Sequence, residues 1–302
     1  WRGELCNRKK NGELYWELAS FSSVKDGRGN MTHYFKVAED ITELKQLEQT
    51  MRNRNEIMER DLEVARNIHS AFLPDQLPQM DFVRVVCWNR SLDAVGGDYF
   101  GFFERPPDRL GLFIGDVQGH GVSAALYTAL VKFMTESMYY REGLNPSRYM
   151  TFLNHELLGN MPNSLLAALY GLFTKNRDSG EVEFCFSKAG LPLPFLYESR
   201  TEDIRLLECH GTYLGILNDI QYEMKQLTLR KGDRLFIYTD GITETINPDR
   251  ELLEYEGFYE ILKQTQHPDL EETLAAIFGK LSSFRRQVPI TDDIVLIGVE
   301  VL

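Results

Sequence analysis

The sequence predicts an α/β protein in which layered β sheets are flanked by helices, preceded by a long helix and a short β-rich segment. Three observations lead there. Short apolar runs separated by turn signals recur through residues 79–302. Two pairs of amphipathic helices interrupt those runs, a rhythm that fits layered sheets better than a doubly wound fold with one helix after each strand. Residues 41–69 contain neither Gly nor Pro, which reads as one continuous helix.

In chain order, Leu14–Leu18 and His33–Val37 form a hairpin around Lys25-Asp26-Gly27-Arg28-Gly29-Asn30, after a turn at Lys10-Asn11-Gly12. So few strands cannot close a core, so residues 1–40 are expected to pack on sequence or a partner beyond this chain. In the helix that follows, Ile41, Leu44, Glu48, Met51, Asn55, Met58, Leu62, Ala65, His69 and Phe72 recur at alternating steps of three and four. That is coiled-coil spacing, with Glu48, Asn55 and His69 as polar interruptions. Pro74 and Pro78 end the helix. Strands are then predicted at Phe82–Trp88, Leu110–Ile114, Leu165–Phe173, Val182–Phe186, Phe195–Tyr197, Leu235–Tyr238 and Ile294–Val301. Helices are predicted at Val122–Arg141, Pro146–Leu158, Gly257–Gln264 and Asp269–Arg285.

The chain has 302 residues, with 33 Lys plus Arg against 45 Asp plus Glu, a net charge of −12. That balance disfavours nucleic acid and anionic membranes as partners. No apolar run approaches the roughly 18 residues that span a bilayer. Cys6, Cys87, Cys185 and Cys209 lack disulfide-framework or zinc spacing, so a reducing cytoplasm is the expected compartment. A first residue Trp1, with no signal segment, suggests a start inside a longer gene product.

The acids matter by position. Gly96-Gly97-Asp98-Tyr99-Phe100 opens one predicted strand and Leu112-Phe113-Ile114-Gly115-Asp116 closes the next. Asp240-Gly241 follows the Leu235–Tyr238 run, and Asp292-Asp293 precedes the last. A single Asp-Gly at a strand end is ordinary turn chemistry. Four such sites gathered at one end of the sheets would repel one another unless cations sat between them. Oxygen donors without His or Cys select Mg²⁺ or Mn²⁺. In Gly115-Asp116-Val117-Gln118-Gly119-His120-Gly121, the glycines allow close backbone approach to a phosphate, and a helix start beside it favours an anion.

With GGDYF, GDVQGHG, YTDG and TDDI in this order, residues 64–302 resemble the bacterial PPM serine/threonine phosphatases, closest to the branch named after stage II sporulation protein E. Ala65–Pro74 resembles that branch's entry motif, and residues 1–43, ending Asp40-Ile41-Thr42-Glu43, resemble the C-terminal strands of a PAS sensor domain. The resemblance implies an α-β-β-α sandwich over residues 75–302, a helical linker over 41–74 and a partial PAS sheet over 1–40. It implies a cytoplasmic hydrolase acting in sigma factor regulation on a phosphorylated anti-anti-sigma (STAS-domain) protein, and a homodimer formed through residues 41–72. It also implies two divalent ions, manganese or magnesium: Asp116 bridging them with the Val117 carbonyl on one, Asp98 on the second, Asp240 and Asp292 on the first. Asp293 is a further metal candidate or a support for Asp292. The chain departs from the pattern at Leu191, where relatives carry His after Ala189-Gly190, and at Gln118, where they carry Ser.

Other readings compete. GGDYF also resembles the GGDEF signature of diguanylate cyclases, although Tyr99 stands where that motif has its second acid. A catalytically silent phosphatase fold that holds a partner is the non-enzymatic reading. His120 is tempting as a general acid, against a purely structural role in its loop.

Overall fold

The computed structural model describes all residues except 93–95, 106, 120 and 161–163, and the side chains of Val122 and Tyr140. It divides into two compact units, Trp1–Leu62 and Glu63–Leu302.

The first unit holds β1 (Arg2–Arg8), β2 (Leu14–Lys25) and β3 (Met31–Asp40), an antiparallel sheet with β2 in the centre. Asp26 closes the β2–β3 turn by accepting from the amides of Arg28 and Asn30, both at 2.9 Å. β3 is exposed along its whole length, and the unit's buried positions are few: Glu17, Ala19 and Ile41 among the described residues. Glu17 is held by Lys36, Asn7 and Tyr15. Asp40 caps α1 (Thr42–Ser70) by accepting from the Thr42 amide at 2.9 Å.

In the second unit, strand periodicity builds the layers. The strands are β4 (Val83–Arg90), β5 (Asp98–Arg105), β6 (Arg109–Val117), β7 (Leu166–Lys175), β8 (Val182–Ala189), β9 (Phe195–Glu198), β10 (Asp203–Leu206), β11 (Met224–Leu229), β12 (Arg234–Tyr238) and β13 (Ile294–Val301). One antiparallel sheet runs β10-β9-β12-β13-β4 and the other β11-β8-β7-β6-β5. Successive residues point to opposite faces. Val295, Ile297, Val299 and Val301 of β13 meet Leu112, Ile114, Leu169 and Phe184 of the facing sheet, while Ile294 and Leu296 face α4 (Glu254–Gln264) and α5 (Leu270–Arg285). On the far side, Phe113, Ala168 and Tyr170 pack on α2 (Val122–Glu142) and α3 (Pro146–Asn160). Three apolar clusters between four layers make the α-β-β-α sandwich that the resemblance implied.

The predicted elements all form, with their ends shifted; β1, β10 and β11 were not anticipated. The predicted coiled-coil seam changes character along α1. Leu44, Met51 and Met58 are exposed, but His69 is 5% exposed and packed into the second unit, and the Phe72 carbonyl accepts from Lys132 of α2 at 3.1 Å. The His69 seam position is therefore buried within this chain.

Candidate active site

Antiparallel pairing places Asp98, first residue of β5, directly opposite Asp116 near the end of β6. Like charges facing across a strand pair oppose folding. β12 ends at Tyr238 and β13 begins at Ile294, so Thr239-Asp240 and Asp292-Asp293 leave the first sheet beside each other. The Thr239 hydroxyl joins the two sheets, donating to Asp98 Oδ2 at 2.9 Å and accepting from the Val295 amide at 3.0 Å.

Asp116, Asp240 and Asp292 line a cavity of about 410 Å³ together with Leu165, Ala167 and Tyr213. A larger cavity of about 550 Å³ surrounds Arg234 at the opposite end of β12, but that guanidinium is already matched by Glu300 and by the carbonyls of His267 and Pro268. Carboxylates gather at the Asp end. Burial, then Asp240 and Asp292, push the Asp116 carboxyl up to about 7. Burial and Asp292 push Asp240 to about 6, and burial with Asp116 and Asp293 beside it holds Asp98 well above the ordinary range.

The glycines of the GG pair serve different neighbours. A Cβ on Gly96 would overlap Asp293 Oδ2, and one on Gly97 would stand 2.6 Å from the Val117 carbonyl oxygen. Asp293 itself accepts from the Leu92 amide through Oδ1 at 2.7 Å and from the Gly97 amide through Oδ2 at 2.8 Å. Both of its oxygens are thus engaged in holding the loop that delivers Asp98. The Asp293 amide in turn donates to Asp292 Oδ1 at 2.8 Å. From α2, the Thr128 hydroxyl lies 3.3 Å from the Gly97 carbonyl. His120 lies outside the described residues.

Sequence reasoning missed His69 as a neighbour of this site. Its ring hydrogen-bonds the Gly96 backbone and lies close enough to Asp293 to feel its charge; burial nevertheless lowers its pKa. The one signal available was a polar residue at an otherwise apolar seam position. Tyr213 was also missed, because it sits in a loop without periodicity.

The donor set fits hard divalent cations: buried Asp98 and half-buried Asp116, Asp240 and Asp292, with carboxylates as the principal charged neighbours of Asp98, Asp116 and Asp240 and no soft ligand. Among the described residues no three Asp, Glu, His or Cys side chains close on a single point. Ions completed by carbonyl oxygen and water suit this arrangement better than an all-side-chain cage.

The family model for stage II sporulation protein E (SpoIIE) matches residues 106–302. The chain belongs to the SpoIIE family. This SpoIIE-family phosphatase domain is similar to the phosphoserine phosphatase RsbU of Bacillus subtilis strain 168, at 25% identity over 249 residues, covering 82% of this chain and 72% of RsbU. It is also similar to the phosphoserine phosphatase RsbP of the same strain, at 27% identity over 186 residues, 61% of this chain and 45% of RsbP. The fold matches the SiaA-PP2C domain of Pseudomonas aeruginosa with a TM-score of 0.68 and 19% identity, over 82% of this chain and 98% of that one. It also matches the catalytic domain of the serine/threonine protein phosphatase PstP, solved with two manganese ions, with a TM-score of 0.51 and 12% identity over 73% and 99%. A SpoIIE-family PP2C fold accounts for GDVQGHG, YTDG and TDDI together, which the cyclase reading left without a role.

Proposed function

We propose that this SpoIIE-family serine/threonine phosphatase releases inorganic phosphate from a phosphoserine or phosphothreonine of a regulatory protein, an anti-anti-sigma (STAS-domain) factor being the favoured substrate. The observation that carries the reading is the face-to-face placement of Asp98 and Asp116 beside the cavity that Asp240 shares. Asp98, Asp116, Asp240 and Asp292, with the Val117 carbonyl, are assigned to hold two divalent ions, Mn²⁺ or Mg²⁺. Such ions supply Lewis acidity, which neutralises phosphate oxygens and lowers the pKa of water. The chain's own part is to orient the acids: Thr239 fixes Asp98 and Asp293 fixes Gly97. The names of RsbU and RsbP support phosphoserine chemistry.

Residues 1–40 are assigned to the end of a PAS sensor, 41–74 to a dimeric helical linker and 75–302 to the catalytic domain, in a cytoplasmic protein. Exposed Leu44, Met51 and Met58 support helix pairing over the first part of α1. The Thr128 contact to Gly97 gives α2 a route to the loop before Asp98. A shift of α2 then biases the site between two states. No helix among the described residues is long and apolar enough to cross a membrane.

Asp116→Asn and Asp240→Asn should each abolish Mn²⁺-dependent phosphate release from a phosphoserine peptide; full activity in both overturns the assignment. A phosphoproteome comparison of wild-type and Asp240→Asn cells identifies the substrate. Asn55→Leu should tighten dimerisation and change basal turnover, and tighter dimers with unchanged turnover would remove the linker from the regulation.

A further inference from the structure

Tyr213 is large, aromatic and 43% exposed, yet its place is fixed from several sides. Leu214 exchanges two backbone hydrogen bonds with Leu166, at 3.0 and 3.2 Å, which docks the loop on the start of β7. The neighbouring β7 residue, Ala167, is the register partner of Asp116. Leu214 is fully buried, and Gly215 takes a left-handed φ of 87° where a Cβ would stand 2.7 Å from the Ser164 carbonyl oxygen. Buried Asn154 ties the turn from beneath: its Oδ1 accepts from the Gly215 amide at 2.9 Å and its Nδ2 donates to the Leu217 carbonyl at 2.8 Å. The Tyr222 hydroxyl donates to the Tyr213 carbonyl at 3.2 Å. The ring lies on the α-carbon of Gly190, whose φ of 68° and missing Cβ leave room for it. Leu191 follows that glycine as a buried core residue.

A preorganised aromatic ring, open to solvent, thus lines the same cavity as three carboxylates and adjoins the small apolar surface of Leu165 and Ala167. Core packing does not call for it there, since Leu214 is the anchor. The same turn also exposes Ile216 and Leu217. Taking the phosphatase reading as given, we infer that Tyr213 is a specificity-determining residue: its ring is the platform for an apolar side chain next to the phosphoserine of the protein substrate. A ring already held in place binds such a side chain without an ordering cost of its own.

The test uses the full chain with Mn²⁺ and two phosphoserine peptides that differ only in carrying Leu or Gly beside the phosphoserine. The wild type should favour the Leu peptide on the order of tenfold in kcat/KM, mainly through KM, as expected when a pocket distinguishes apolar groups. Tyr213→Ala should bring the ratio close to one, and Tyr213→Phe should keep it. Thermal melts report whether each variant folds, and Tyr213→Gln stands in if the alanine variant does not. A wild type without preference, or a preference that survives removal of the ring, overturns the inference and leaves the phosphatase reading standing. Absence of Mn²⁺-dependent release from either peptide by the wild type overturns both.

Discussion

Thr239 donates its hydroxyl to Asp98 across the gap between the two sheets, 2.9 Å from Oδ2, while accepting from the Val295 amide. The hydroxyl is fully buried and ties together both sides of the site: β13 through Val295 and β5 through Asp98. Thr239→Val keeps the shape and removes both hydrogen bonds. It should cost about 1–3 kcal/mol, since the Val295 amide is left buried without a partner. Because Asp98 also loses the Thr239 hydroxyl that orients its carboxylate, Mn²⁺ affinity should fall with stability. Urea unfolding and a metal titration on the same variant check the two effects separately.

Asp293 makes a second, independent prediction. Its two oxygens accept from Leu92 and Gly97, and the α-carbons of Gly96 and Gly241 lie so close to it that a Cβ on either would overlap Asp293 atoms. Gly96→Ala should therefore displace the Asp293 carboxylate and with it Gly97. Asp293→Asn replaces one acceptor oxygen by a donor and so loses one of the two amide bonds, at about 1–3 kcal/mol. Both variants should weaken Mn²⁺ binding, read by calorimetric titration; native affinity in both would show that the loop is held by other contacts.

Where local pattern and global packing agree, the fold is legible in the residues. β12 and β13 alternate between the inter-sheet core and the helix layer with period two, and Asp240-Gly241 after the one and Asp292-Asp293 before the other mark where the sheet stops. β10 escapes because Asp203 and Arg205 leave Ile204 and Leu206 as single apolar positions, without the apolar run that marks the equally short β9. β11 escapes although Lys225, Leu227 and Leu229 alternate with more exposed neighbours, because its residues are only half apolar and form no continuous apolar run. Asp98 and Asp116 could be picked out as ligands from their motifs, but their register pairing could not, since it depends on the β5–β6 hairpin closing between Arg105 and Arg109. His69 was misplaced for a similar reason: heptad spacing describes a helix face and says nothing of which partner covers it.

His69 yields the next prediction. It hydrogen-bonds the Gly96 backbone, faces Asp293 and keeps Nε2 buried without a partner among the described residues. Burial lowers its pKa, so the neutral ring is the resident form. His69→Phe retains an aromatic ring, also near Phe72 at 6.2 Å, but removes the link to Gly96. The expected result is a stability loss of about 1 kcal/mol, the net value of one hydrogen bond, with weaker Mn²⁺ binding. A folded variant with native Mn²⁺ affinity would reduce His69 to packing.

The acids set a pH dependence whose sign distinguishes this site from an ordinary carboxylate cluster. In metal-free protein, Asp116 and Asp240 are raised to about 7 and about 6 from 3.8, first by burial and then by neighbouring carboxylates. A carboxyl raised in the folded state contributes stability that is fully present below the unfolded pKa and is lost as pH climbs through the folded one. The melting temperature of EDTA-treated protein should therefore fall between pH 5 and pH 8 more steeply than that of the Asp116→Asn/Asp240→Asn double variant, in which neither group titrates. Divalent ions bind the deprotonated form, so their stabilisation should be greater at pH 8 than at pH 5.5, where protons must first be displaced. Scanning fluorimetry of both proteins over that range, with EDTA and with Mn²⁺, reads all four slopes. Parallel wild-type and variant curves in EDTA would mean that these two acids are ionised in the metal-free fold and that the cavity is wetter than its burial implies.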